Sequence, residues 1–295
     1  MRFRTAVTVA AISLLAACGS GAPPGGSSSA VGSSAPASGP QRIVSLSPTA
    51  TETLFEIGAG QQVVAVDDQS NHPADAPRTK LSGYEPNVEA IVGYQPDLVV
   101  IADDTKKIEA QLSRLGIEVI VAPPAKTLDE AYQQIEQLGV ETGHADAATG
   151  LVEQMRDRVA ELTKELAPRP KPLTYYHELD NTLYTVTSKT FLGQVYTLAG
   201  LRNVADPADK AGGGYPQLSA EYLVKADPDL VFLGDTKCCA QNAATFAKRP
   251  GFANLKAVRG SRVIPLDDDI ASRWGPRIVD LLETIVSTVE AVPAS

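Results

Sequence analysis

One unit occurs twice in this chain, and it restricts the fold more than any other feature. Glu89-Ala-Ile-Val-Gly-Tyr-Gln-Pro-Asp-Leu-Val-Val-Ile101 is echoed by Glu221-Tyr-Leu-Val-Lys-Ala-Asp-Pro-Asp-Leu-Val-Phe-Leu233. Each copy opens as a short amphipathic helix, stops before a proline, and continues as an apolar, β-branched run. A run that is apolar on both faces suits a parallel strand buried between two layers of helix. Asn87 and Ser219 precede the glutamates by two residues and are suited to cap the helices. Glu89 and Glu221 then fall in the first turn, where the helix dipole favours a carboxylate. A weaker echo pairs Leu54-Phe-Glu-Ile-Gly-Ala-Gly60 and Val63 to Val66 with Val195-Tyr-Thr-Leu-Ala-Gly-Leu-Arg-Asn-Val-Ala205, each reading as helix, glycine stop and strand.

Strand-like runs at Arg42–Leu46, Val63–Val66, Leu98–Ile101 and Glu118–Val121 alternate with helical segments in the first half. Leu173–Tyr176, Leu183–Val186, Leu230–Leu233 and Arg262–Leu266 do so in the second. This alternation predicts an α/β protein with parallel sheets. Between the halves, His144 to Ala167 carries Ala147, Leu151, Met155, Val159 and Leu162 at helical spacing, and no proline until Pro168, Pro170 and Pro172. A helix of that length would span about 36 Å and serve as a rigid connector between two lobes. The other reading of this segment is a peripheral helix of one lobe.

The N-terminus is set apart. Arg2 and Arg4 precede a short apolar run from Ala6 to Ala17, which meets Leu15-Ala16-Ala17-Cys18-Gly19. The run is too short to span a bilayer, and the order of charge, apolar stretch and small residues marks a secretory signal over residues 1–17. The cysteine at the cut resembles the bacterial lipobox, which implies cleavage before Cys18 and lipid on its thiol and amino group. Residues 18–40, the lipidated cysteine followed by a stretch nearly all Gly, Ser, Ala and Pro, read as a flexible tether with a reach of roughly 25 Å. Without Arg2 and Arg4, 24 basic residues face 35 acidic ones, a formal charge of −11. Such a body is unsuited to a phosphate backbone, so no nucleic-acid partner is expected. Cys238 and Cys239 are adjacent and cannot staple distant segments; outside the cytoplasm they suggest a vicinal disulfide.

Arg42-Ile-Val-Ser-Leu-Ser-Pro-Thr-Ala-Thr-Glu52, the Pro-Asp-Leu-Val repeats, Tyr215-Pro-Gln-Leu-Ser-Ala-Glu221 and Arg273-Trp-Gly-Pro-Arg277 together resemble the substrate-binding proteins of iron-chelate and cobalamin ABC importers. The resemblance runs from about Arg42 to the C-terminus. It implies two Rossmann-like lobes with mainly parallel sheets, bridged by one long α-helix: an N-terminal lobe over 41–143, the bridge over 144–167 and a C-terminal lobe over 168–295. It implies limited closure on ligand, delivery to an ABC permease dimer, and a lipid-anchored, extracytoplasmic monomer. Glu89 and Glu221 stand where the family has one permease-docking glutamate on each lobe. Their other reading is simply that each complements its own helix N-terminus.

The resemblance also implies a ligand cleft. Tyr84 and Tyr215 match the places of aromatics in the cobalamin binder, with tyrosine in place of tryptophan. Haem binders use a tyrosine near Tyr84 as an iron ligand. Asp269 and Arg273 match an Asp and an Arg four apart. Glu85 and Trp274 stand beside these positions, and His177 follows a strand end, which completes the expected ligand-contacting set. Aromatic faces offer area at low entropic cost, and arginine offers bidentate recognition of carboxylate or phosphate. Ser47, Thr49 and Thr51 open the first helix as caps or as an anion cradle, and Asp67, Asp68 and Asn71 follow a strand toward the same rim.

The expected ligand is a metal chelate, a ferric siderophore or cobalamin-type corrinoid ahead of haem, and neither a resident cofactor nor a protein-held metal is expected. No Gly-x-Ser-x-Gly elbow, phosphate loop or His-Glu-x-x-His motif stands in the chain, so an enzyme is not expected. A bare Zn or Mn binder of a related importer is a second reading, disfavoured because only His72, His144 and His177 are present. A structural envelope lipoprotein is a third.

Overall fold

The computed structural model describes residues 39–164 and 166–293. The expected signal peptide, Cys18 and all but the last two tether residues lie outside that range. The N-terminal lobe runs β1 (Ile43–Leu46), α1 (Pro48–Glu56), β2 (Val63–Asp67), β3 (Arg78–Leu81), α2 (Val88–Val92), β4 (Leu98–Ile101), α3 (Glu109–Ser113), β5 (Glu118–Val121) and α4 (Leu128–Thr142). Helix α5 (Ala145–Lys164) follows. The C-terminal lobe runs β6 (Thr174–Glu178), α6 (Phe191–Leu198), β7 (Arg202–Asn203), α7 (Ala220–Ala226), β8 (Leu230–Leu233), α8 (Ala243–Ala247), α9 (Lys256–Arg259), β9 (Val263–Pro265), α10 (Asp268–Ala271) and α11 (Ile278–Glu290). The sheets are five-stranded, in the order β3-β2-β1-β4-β5, and four-stranded, in the order β7-β6-β8-β9. Every strand pairing in them is parallel.

The repeat has a structural cause. Strands β4 and β8 are buried along their whole length, which explains their unbroken apolar runs. Asn87 accepts from the Ala90 N–H and Ser219 from the Tyr222 N–H, so both caps form. Gln95 and Asp227, each directly before the proline, adopt left-handed φ of 52° and 45°. The α-helical region is disfavoured for a residue preceding proline; α7 ends directly at Asp227, and α2 ends at Val92, three residues before Gln95. The following aspartate clamps the neighbouring central strand. Asp97 accepts from the Gln41 and Arg42 N–H groups at 2.8 and 2.9 Å. Asp229 accepts from the N–H and hydroxyl of Thr174 at 2.9 and 2.8 Å.

Helix α5 is the bridge. Its 20 residues extend about 30 Å, shorter than the 144–167 expected. Ala148, Val152, Met155 and Leu162 enter one continuous core with Ile43, Leu98 and Ile135 of the first lobe and Tyr175, Phe232 and Ile285 of the second. It packs against α4 closely: a side-chain carbon at Gly139 would collide with Cβ of Ala148. Gly143, at φ 80°, turns the chain between the two helices. Across the bridge, Arg158 pairs with Glu283 of α11 at 2.7 Å.

Two strand assignments change. Leu183–Val186 forms only isolated bridges, Glu178 to Thr185 and Tyr184 to Gln217, rather than a strand of the sheet. Leu183 packs against a local core and Val186 is buried, whereas Tyr184 is exposed. Conversely, Arg-Thr-Lys-Leu pairs with β2 as an edge strand, where two exposed residues and a half-buried threonine leave no apolar signal.

Candidate ligand cleft

The carboxyl ends of both sheets open toward one another. Leu46 and Asp67 at the ends of β1 and β2, with Tyr84, Asp103 and Pro124 beyond β3, β4 and β5, line a cavity of 380 Å³ closed by Asp269, Arg273 and Trp274 of the second lobe. A second cavity of 360 Å³ is lined by His177, Phe191, Leu192 and Tyr215, and shares Pro124, Arg273 and Trp274 with the first. The two form one interlobe cleft, at the place where open α/β sheets bind ligands.

Local chemistry sets its walls. Ser47 caps α1 by accepting from the Ala50 N–H, and Pro48 occupies the first helical position. Tyr84 is 81% exposed on a loop held close to the sheet. A Cβ on the preceding Gly83 would lie 2.6 Å from the Leu46 carbonyl oxygen and 2.8 Å from Asp67 Oδ2, so only glycine permits that approach. Tyr215 is 57% exposed and follows Gly214, at φ +85°. The Gly214 N–H donates to Asp209 at 3.0 Å, and its carbonyl accepts from the Thr187 N–H at 2.9 Å.

His177 is fully buried in β6, with Nδ1 2.8 Å from the Tyr196 hydroxyl and Nε2 without a partner among the described residues. Burial pushes its pKa down to about 4, so the ring is neutral at physiological pH. Trp274 donates its indole N–H to Gln134 of α4 at 2.9 Å, crossing the lobe boundary at the base of the cleft. Glu85 lines neither cavity; it is exposed and pairs with Lys106 at 3.0 Å.

Arg273 differs most from expectation. It lines both cavities, yet only 8% of it is exposed. Nη1 donates to Glu52 Oε1 at 2.5 Å, and Nη2 lies 3.0–3.1 Å from the Gln69 carbonyl, Asn71 Oδ1 and Asp269 Oδ1. Arg277 grips the same Glu52 through Nε at 2.9 Å and through Nη2. The guanidinium expected to meet a ligand carboxylate is therefore held by protein acceptors. Asp269 is equally committed, receiving Asn71, Lys237 and Arg273. Burial opposes its charge, but those donors hold its pKa below the usual carboxylate range. Burial raises the pKa of Asp67, and hydrogen bonds from Thr105 lower that of Asp103.

Glu52 and Arg277 stand inside the motifs at Arg42–Glu52 and Arg273–Arg277, but no spacing shows that residues 225 apart meet. A second buried group also went unread. Arg249 donates to both oxygens of Glu178 at 2.6 Å, and Asp235 lies beside them with both oxygens unpartnered among the described residues. The adjacent Cys238 and Cys239 are joined as a vicinal disulfide. Asn71 donates to Asp269 across the cleft, whereas Asp68 lines neither cavity. Thr51 donates inward to Ser45 at 2.9 Å and holds Ser70 rather than facing an anion. Among the described residues there is no group of three or more His, Cys, Asp or Glu that would hold a metal ion.

Residues 43–270 match the family model described as periplasmic binding protein. A cobalamin-binding protein of Halobacterium salinarum is 32% identical over 250 residues, covering 82% of this chain and 67% of that one. An uncharacterized ABC transporter substrate-binding lipoprotein of Bacillus subtilis is 28% identical over 259 residues, covering 85% and 80%. The crystal structure of the periplasmic vitamin B12 binding protein of Vibrio cholerae superposes with a TM-score of 0.68 at 25% identity, covering 85% of this chain and 97% of that one.

Proposed function

The chain belongs to the periplasmic binding protein family, and on that premise we propose that it is the substrate-binding component of an ABC importer that captures a corrinoid-type metal chelate between its lobes. The observation that carries this is the cleft itself: two contiguous cavities walled by Tyr84 and Tyr215, with Trp274 at their base, in a chain 32% identical to a cobalamin-binding protein. A large flat ligand takes most of its contact area from aromatic faces. The cobalamin-binding and vitamin B12-binding relatives favour a corrinoid over a ferric siderophore or haem. The lack of a clustered metal-ligand set among the described residues disfavours a bare ion.

The protein works outside the cytoplasm. The lipobox-like Cys18 and the Bacillus subtilis lipoprotein relative support attachment through lipid, which Cys18→Ser would abolish in a palmitate-labelling experiment; labelling that persists would sink this part. Glu89 and Glu221 are exposed on the first turns of α2 and α7, one per lobe, and suit a two-fold permease.

A thermal-shift panel tests the ligand class. Cyanocobalamin, dicyanocobinamide, a ferric hydroxamate, haem and free Zn²⁺ or Mn²⁺ are offered in turn. A ligand at a hundredfold its Kd stabilises the folded state by about 2.7 kcal/mol. A corrinoid is expected to shift the transition, and Tyr84→Ala with Tyr215→Ala to remove most of the shift. A shift with bare metal alone, or with no chelate, would refute the proposal.

A further inference from the structure

Glu52 is a buried carboxylate, 1% exposed, on a helix of the N-terminal lobe. It accepts hydrogen bonds from two arginines of the other lobe, Arg273 and Arg277. A buried charge of this kind is tolerated only when paired, and here the pairing has a consequence for the ligand. Among the described residues, Arg273 is the sole cationic side chain lining the two cavities. Glu52, Asp269, Asn71 and the Gln69 carbonyl take up both of its terminal nitrogens. The remaining charged groups on the walls are the carboxylates Asp67, Asp103 and Asp269. Lys237, the nearest rim cation to Asp269, is itself held by Asp267 and Asp269 at 2.7 and 2.6 Å.

From this arrangement we infer that Glu52 is a specificity-determining residue: by holding Arg273 away from the ligand it makes the cleft favour chelates that present amides to its walls, and reject those that present free carboxylates or phenolates in their place. The inference rests on the corrinoid-importer reading and deepens it. A carboxylate or phenolate pressed against these walls meets like charge and finds no free guanidinium to replace its water. A periphery of amides meets carboxylates that accept their N–H donors. Discrimination comes from withholding a partner from the wrong ligand as much as from contacts to the right one.

The test uses ligands that differ in charge and little else. Cyanocobalamin is compared by calorimetry at pH 7.5 with its monocarboxylic acid, in which one peripheral amide is hydrolysed to a carboxylate. The acid is expected to bind the wild-type protein at least about tenfold more weakly. Glu52→Gln weakens the hold on Arg273, and Asp103→Asn removes one rim carboxylate; each is expected to narrow the gap, with the ratio of the two affinities as the readout. Asp103 is exposed, so that variant stands if Glu52→Gln does not fold. Equal or tighter binding of the acid by the wild type, or variants that weaken both ligands in proportion, would overturn the inference while leaving the corrinoid reading intact. If no corrinoid binds, the corrinoid reading falls, and a neutral ferric hydroxamate is compared with an anionic ferric catecholate. Preference for the catecholate, or binding of neither, then overturns the charge rule as well.

Discussion

Asp235 and His177 show how burial at single residues sets the response to pH. Burial, reinforced by the neighbouring Glu178 charge, raises the Asp235 pKa from 3.8 to about 7. The folded protein then binds more protons than the unfolded chain between those values, so this group's contribution is present at low pH and is lost as pH rises through 7. His177 acts in the opposite sense. Burial lowers its pKa from 6.5 to about 4, so its contribution is present above 6.5 and is lost as pH falls through 4. Asp235→Asn removes the first effect without leaving a buried charge. Its melting temperature should rise relative to wild type at pH 8 and converge with it near pH 4; the same offset at both pH values would contradict the assignment. His177 could be placed at a strand end, but nothing in the primary structure announces Asp235. Glu178 and Asp235 meet only because β6 and β8 are adjacent parallel strands.

At the scale of elements, most of the architecture was readable because its physics is local. Leu98–Ile101 and Leu230–Leu233 carry a buried strand's composition, Glu118–Val121 is strand-like, and all three are strands at those bounds. Helix caps at Asn87 and Ser219 were equally legible, since each uses a side chain within three residues. β3 was not, because an edge strand needs no apolar run, and Leu183–Val186 has a strand's composition without a strand's pairing, because apolar alternation does not say whether a ladder partner exists. The packing of α4 against α5 lies between these cases: Gly139 interrupts a helical pattern for no local reason, and Ala148 supplies it. Gly139→Ala should therefore destabilise the protein by about 1–3 kcal/mol despite its better helix propensity. A gain in stability by denaturant unfolding would show that the helices can separate freely.

At the scale of the whole molecule, the lobes are joined by more than a single helix. The core is continuous through α5, and Glu52 with Arg273 and Arg277, Asn71 with Asp269, and Gln134 with Trp274 tie the lobes along the cleft. These contacts were the least legible part of the site: the aromatics and acidic turn could be placed by resemblance, but the identity of the groups that saturate Arg273 depends on residues roughly 200 positions away. The proposed docking pair belongs to this scale too. Glu89→Lys with Glu221→Lys should abolish uptake while leaving ligand affinity unchanged, because neither residue lines a cavity. Retained uptake would remove these residues from the docking surface.

The central claim is that a corrinoid enters the interlobe cleft, and the chain carries its own reporter there, since Trp274 is the only tryptophan of 295 residues. Titration of cyanocobalamin, which absorbs across the tryptophan emission band, should quench that fluorescence saturably at one equivalent, with Tyr84→Ala and Tyr215→Ala shifting the curve to higher concentration. Quenching that rises linearly without saturation, or that is indifferent to both tyrosines, would contradict the account.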